Sequence, residues 1–296
     1  MTSNQLVLGV LHPGSMGAAV AACAVSAGAR VLWCPIGRST ATRDRAEQAG
    51  LEPVAELARL LEQSDVVLSL CPPDAAEDVA RDVAEHRFTG VYVEGNAISP
   101  DRAQRIADLV GRSARAVVDG SVIGSPPIAG KTARLYLSGL SGATTLVEAL
   151  FASTAVAPTV LGEEVGQASA LKISYTAYQK ASRVLAALSY GLAQHHQVDQ
   201  ALLEVAGKRQ ASYLVETDYI PKTAARAWRW APELEEAADT LQAAGLPDEV
   251  LRAIADTLRR WNSAKDTALT VEQALVLLAA DTPDAVIDAG TVSPGV

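Results

Sequence analysis

Cysteine is scarce in this sequence and badly placed for cross-linking. Cys23, Cys34 and Cys71 are three among 296 residues, an odd number without Cys-x-x-Cys spacing. That argues against a disulfide framework and against a thiolate zinc site, and the three read as small buried hydrophobes. Histidine is nearly as sparse, with four in all. His195 and His196 are adjacent and would project about 100° apart on a helix, so no metal is expected. No apolar run approaches the roughly 20 residues of a membrane helix, and the amino terminus lacks the charged start and apolar core of a secretory signal. No membrane partner is expected, and the cytoplasm is the expected compartment. Positive charge is in deficit: 25 Lys and Arg against 34 Asp and Glu leave a net charge of −9. Phosphate backbones are bound by concentrated cations, so no nucleic-acid partner is expected and any basic site must be local.

What is present is an apolar fraction of 49% in a chain long enough for two domains. The amino terminus is its most informative part. Leu6-Val7-Leu8-Gly9-Val10-Leu11 leads into His12-Pro13-Gly14-Ser15-Met16-Gly17 and then an alanine-rich amphipathic segment. A strand, a glycine turn and a helix start form a seat for a nucleotide diphosphate, because glycine lets the backbone approach and the helix presents free N–H groups. The usual G-x-G-x-x-G frame reads His12-x-Gly14-x-x-Gly17 here. The next apolar segment, Arg30-Val31-Leu32-Trp33-Cys34, arrives one helix later, as a βαβ unit requires. A glycine turn in some other α/β protein is the plainer alternative.

Short β-branched runs at 65–70, 91–94, 116–119, 135–138 and 157–161 alternate with helical segments, the pattern of a doubly wound α/β domain over residues 1–162. Strand signals then stop. A long joining helix is predicted over about 164–190, followed by helical periodicity at 201–216, 232–244, 248–261 and 271–279. Residues 163–280 therefore read as an all-α domain for substrate binding or dimerisation, and 281–296 as a tail.

In dinucleotide folds a carboxylate at the end of the second strand binds the ribose 2′-OH of NAD, and an arginine there accommodates the 2′-phosphate of NADP. No carboxylate follows Cys34 until Asp44, whereas Arg38, Ser39, Thr40 and Arg43 do. A guanidinium fork with hydroxyls suits a phosphate dianion, so NADP(H) is the expected cofactor. Alternatively the two arginines are a solvated face.

Taken together, these blocks resemble the β-hydroxyacid dehydrogenase and 6-phosphogluconate dehydrogenase-like superfamily, which includes imine reductases and reductive aminases. Leu70-Cys71-Pro72-Pro73 is similar to the loop after the family's fourth strand, and Val93-Glu94-Gly95-Asn96-Ala97-Ile98-Ser99-Pro100 to its segment bordering the nicotinamide. The resemblance thus adds Cys71, Pro72 and Asn96 to His12, Pro13, Gly14, Ser15 and Met16 as cofactor contacts. Asp119-Gly120-Ser121-Val122-Ile123-Gly124 stands where the family has its substrate loop, implying that Ser121, Ile123 and Gly124 bind substrate. Ala168-Ser169-Ala170-Leu171-Lys172 and Ala227-Trp228-Arg229-Trp230-Ala231-Pro232 resemble a subgroup with a helical C-terminal domain of uncharacterised function.

Lys172 matches the family's catalytic lysine. An ammonium beside the acceptor of a hydride can polarise it and deliver a proton. Apart from the resemblance, a lysine snorkelling from an apolar helix would be the simpler reading. Thr176 stands where the hydroxyacid enzymes carry Asn, and Ile123-Gly124-Ser125-Pro126-Pro127 where they carry Ser-Gly-Gly. Both changes remove polar groups that would hold a small hydroxyacid, pointing to a ketone, aldehyde or cyclic imine. Thr176 and Gln179 are the expected pocket positions along the same helix; Tyr213, Trp228 and Trp230 read as pocket wall or as core. The resemblance also implies a homodimer with a shared active site. Three functions compete: hydride transfer from NADPH to a small-molecule carbonyl, imine reduction or reductive amination, and a non-catalytic NADPH sensor.

Overall fold

The computed structural model describes residues 5–208, 213 and 216–280. The first strands and helices alternate as β1 (Val7–Val10), α1 (Ser15–Ser26), β2 (Arg30–Trp33), α2 (Thr40–Gln48), β3 (Glu52–Pro53), α3 (Leu57–Gln63), β4 (Val66–Ser69), α4 (Ala76–Glu85), β5 (Val91–Glu94) and α5 (Pro100–Val110). They continue with β6 (Ala116–Gly124), β7 (Ala133–Ser138), α6 (Ser141–Ala149) and β8 (Val156–Gly162). The eight strands form one sheet in the order β3-β2-β1-β4-β5-β6-β7-β8, parallel except for the β6–β7 pair. This is the doubly wound, Rossmann-type domain that the alternation implies.

The strands read as near-continuous apolar runs because both faces of the sheet are covered. Leu8, Val10, Val66, Leu68, Val91 and Val93 enter one buried cluster, whereas the intervening Val67 and Tyr92 enter the other. That is the period of two expected of a strand. Gly9 shows how closely the helix layer approaches: a Cβ there would lie 2.5 Å from Leu60 Cδ2 and 2.6 Å from Ser64 Oγ of the α3 turn. Local signals fix two of the helix starts. Ser39 caps α2 by accepting from Thr42 N, and Ser99 caps α5 by accepting from Arg102 N, with Pro100 in the first turn.

The chain divides into two compact units, the first running to Ala177 and the second from Tyr178. The division falls inside α7 (Gln167–His195), so the first turns of this helix belong with the sheet, beyond the position 162 read from the sequence. The second unit is helical: α8 (Asp199–Ala206), α9 (Ile220–Ala243), α10 (Glu249–Arg259) and α11 (Val271–Ala279). Ala224, Ala227, Ala231, Ala255, Leu258, Trp261 and Leu277 form its core, and Trp261 Nε1 donates to Ala274 O at 2.7 Å. Trp230 packs against this core, while Trp228 lies half-exposed beneath Lys265.

Several expectations need correction. The edge strand β3 has two exposed residues and no apolar run to announce it. The expected substrate loop at 119–124 is the second half of β6, extended by antiparallel pairing to β7 from Asp119↔Ser138 to Gly124↔Ala133. Pro232 does not open a helix. It lies exposed inside α9, with Ala231 before it buried and Leu234 after it packed against the same core. The helix expected over 201–216 ends at Ala206; residues 209–212 and 214–215, like the 281–296 tail, lie outside the described residues. Among the described residues no helix is long and apolar enough to cross a membrane.

Gly9→Val is expected to lower unfolding free energy by about 1–3 kcal/mol through overpacking. Chemical denaturation should show this as a lower midpoint, and an unchanged midpoint would mean that α3 does not depend on the close approach.

Candidate active site

Strand order reverses between β1 and β4, which places a crevice at their carboxyl ends. The turn after β1 lies there. Gly14, extended at φ −68° and ψ −170°, caps α1 and offers no side-chain hydrogen bond, so the N–H groups of the first turn are left uncapped. Gly17 is required sterically: a Cβ there would sit 2.3 Å from His12 O. Pro13 is buried, Met16 half-buried and Ser15 exposed at the helix start.

Beside this turn the ends of β1 and β2, with α3 and α4, enclose an apolar slot of about 210 Å³ whose lining includes Leu11, Cys34, Leu60 and Val83. His12 and Arg38 also line it. Arg38 bonds to His12 Nε2 through Nη1 and to Leu11 O through Nη2 at 3.3 Å, so it is not the freely solvated residue of the plainer reading. Arg43 donates to Pro35 O at 2.8 Å, and Ser39 Oγ is engaged at the α2 cap. Burial, and then the Arg38 cation, lower the His12 pKa from 6.5 to about 4. Its ring is therefore neutral at pH 7.

At β4 and β5 the buried Asn96 joins two strand ends. Its Oδ1 accepts from Cys71 N at 2.6 Å and its Nδ2 donates to Ser69 Oγ at 3.1 Å. Asn96 N donates to Glu94 Oε1 at 3.0 Å, and Tyr92 Oη to Glu94 Oε2 at 3.3 Å. Burial raises the Glu94 carboxyl from 4.5 to about 7, opposed by the Asn96 and Tyr92 bonds and reinforced by Asp119. Burial also pushes the Cys71 thiol up. Cys71 and Cys34 are only half-buried, and Cys34 lines the slot; only Cys23 fits the expectation of a buried hydrophobe. Pro72 is exposed.

The fourth part is the junction of β6 with α7. The buried Asp119 Oδ2 accepts from Gly166 N at 2.9 Å and Ser169 N at 2.8 Å, and its Oδ1 accepts from Ser169 Oγ at 2.7 Å. Ser138 Oγ donates to the same carboxylate and accepts from Ala168 N at 3.2 Å. A strand side chain thus caps the long helix, one turn before Lys172. Lys172 Nζ in turn donates to Val122 O at 2.7 Å. Ser121, beside Val122, is buried with no hydrogen-bond partner for its hydroxyl. Ile123 is half-buried and Gly124 exposed at φ +131°. Thr176 is one turn beyond Lys172, and Gln179 lies past the division, in the second unit.

The sheet unit therefore brings the turn after β1, Arg38, Asn96, β6 and Lys172 to the carboxyl side of one sheet. The roles of Asp119, Ser138, Ser169 and Glu94 were not anticipated. Their signal was a carboxylate inside an otherwise apolar strand, which must find buried donors. The residues fit a dinucleotide on two structural grounds: the uncapped α1 terminus, and the buried, unpartnered His12 Nδ1 and Arg38 Nε.

Comparisons with known proteins agree with this fold. The family described as "NAD binding domain of 6-phosphogluconate dehydrogenase" matches residues 7–162, and a "Domain of unknown function (DUF1932)" matches residues 193–261. An "Uncharacterized 28.5 kDa protein in 7S RNA 5'region" of Methanothermus fervidus is 26% identical over 186 residues, 63% of this chain and 70% of that one. The imine reductase from Pseudomonas sp. has a similar structure, with a TM-score of 0.71 at 20% identity over 93% of this chain and 100% of that one. The reductive aminase from Aspergillus terreus, solved with NADPH and ethyl levulinate, gives a TM-score of 0.69 at 16% identity over 92% of this chain and 99% of that one.

Two outcomes test this geometry. Asp119→Ala is expected to strand several buried donors and cost about 3 kcal/mol or more, with Asp119→Asn costing less because one acceptor oxygen remains; equal, negligible losses in thermal unfolding would contradict it. For Glu94 the folded pKa is raised, so its burial weakens stability progressively as pH rises from 4.5 to about 7. His12 acts oppositely, since its lowered pKa costs stability as pH falls from 6.5 to about 4. Glu94→Gln is therefore expected to gain on wild type with rising pH, reaching a plateau of about 3 kcal/mol above pH 7. A stability difference independent of pH would show that this carboxyl is not desolvated.

Proposed function

This chain belongs to the family described as the NAD binding domain of 6-phosphogluconate dehydrogenase, and from that premise we propose an NADPH-dependent oxidoreductase that reduces a small-molecule carbonyl with Lys172 as general acid. The observation that carries the reading is the placement of Lys172, whose Nζ is held 2.7 Å from Val122 O on a helix capped by Asp119. When bound, the nicotinamide supplies a hydride.

Each part of the site has a task in this reading. The turn from His12 to Met16 receives the pyrophosphate on uncapped N–H groups. Arg38, Ser39 and Arg43 face the ribose phosphate, Cys71, Pro72 and Asn96 border the nicotinamide, and Ser121, Ile123, Gly124, Thr176 and Gln179 contact substrate. Hydride addition to a carbonyl carbon leaves charge on oxygen, which the Lys172 ammonium stabilises and then protonates, so that an alcohol leaves and the lysine regains its proton from water. Val122 O orients the ammonium.

The second reading, imine reduction or reductive amination, draws on the fold shared with the Pseudomonas imine reductase and the Aspergillus reductive aminase. A protonated lysine beside an iminium would oppose that substrate, and for this reason carbonyl reduction leads. A homodimer is part of the proposal. Exposed apolar side chains at Val184, Leu203 and Val205 of the helical unit support a covering copy.

NADPH consumption should be followed with ketones and aldehydes, each with and without a small amine, and with one cyclic imine. Turnover without amine is expected, and Lys172→Ala should lower it about 10²–10⁴-fold while leaving NADPH binding intact. Turnover only with amine or cyclic imine would favour the second reading, and binding without consumption would favour a sensor.

A further inference from the structure

One departure from the nucleotide-binding frame is unexplained by that mechanism: the first glycine position is occupied by His12. Its side chain is not an accident of the turn, because it is bonded to Arg38, a residue from the next βα connection. Nη1 of the guanidinium meets His12 Nε2, and Nη2 reaches Leu11 O at 3.3 Å. Both terminal nitrogens are thus anchored to the segment that follows β1, in the lining of the slot.

The protonation states follow from the bond. Arginine can only donate, so Nε2 must be the acceptor and the imidazole proton must reside on Nδ1. The depressed basicity of this ring is consistent with that assignment. Two N–H groups then remain buried without a partner, His12 Nδ1 and Arg38 Nε. A buried unpaired donor is costly, and turning it toward a ligand with several acceptor oxygens would relieve it. Ser39 and Arg43 belong to the same turn. A phosphate monoester is the chemistry that such a set of donors recognises.

Resting on the NADPH reading above, we propose that His12 is a specificity-determining residue: it replaces the usual glycine in order to hold the Arg38 guanidinium where that group distinguishes a 2′-phosphorylated dinucleotide from one with a free 2′-hydroxyl. Arg38 makes the contact, and His12 sets its position.

The test is binding, measured on the full chain by calorimetric titration with NADPH and NADH. The wild type should prefer NADPH, and Arg38→Ala should lower the preference about tenfold or more. His12→Gly, which restores the usual frame, should lower it several-fold, and the double variant should lose no more than Arg38→Ala alone. His12→Gln keeps an acceptor and should stay within about threefold of wild type, which provides a second readout if the glycine variant folds poorly. An unchanged preference in His12→Gly, or an additive double variant, alongside a collapse in Arg38→Ala, would overturn the role of His12. No effect of Arg38→Ala, or no wild-type preference, would instead overturn the NADPH reading on which the proposal stands.

Discussion

The arrangement depends on one buried carboxylate. Asp119 sits in the middle of a sheet strand and gathers the backbone N–H groups of Gly166 and Ser169 together with two serine hydroxyls. A charge in that position is tolerable only because it is saturated with donors, and the donors it takes are those that a helix start leaves unpaired. The strand thereby fixes where α7 begins and in which rotation. Lys172, one turn later, returns to the same strand through Val122 O. A flexible side chain is in this way tied at both ends of its lever, which is what the proposed acid role requires.

The cofactor side is organised by the same logic of burial with few partners. His12 is kept neutral by desolvation and by its arginine neighbour, and Glu94 is pushed toward protonation by burial while still orienting Asn96 N. The two groups impose opposite pH dependences on stability in overlapping ranges. Neither is needed to make the fold; Leu and Val at the strand centres do that. Both belong to the ends of strands where ligand groups would approach.

The sheet was legible in the sequence because each central strand is a compact apolar run and two of the connections carry a capping serine, Ser39 and Ser99. What escaped was information held between distant residues. The span 119–124 reads as a loop only by resemblance, and pairing with β7 makes it strand. Pro232 read as a helix start, yet it lies inside α9, with Ala231 and Leu234 on either side packed in the helical core. Arg38 was legible as a cation near the second strand, but its bond to His12 joins residues 26 apart, and no local pattern encodes it. Lys172 was singled out by resemblance, whereas its anchor, Asp119, is visible only in three dimensions.

The account rests on a nicotinamide lying between Asn96 and the lysine that Asp119 positions, and a crystal structure of the NADPH complex tests this directly. It should show the pyrophosphate on the α1 terminus and the nicotinamide ring bordering Asn96. Lys172 Nζ should stand within hydrogen-bond reach, about 3 Å, of a carbonyl oxygen placed over the ring. A nicotinamide turned away from Asn96, or a lysine separated from it by more than the width of a substrate, would contradict the account.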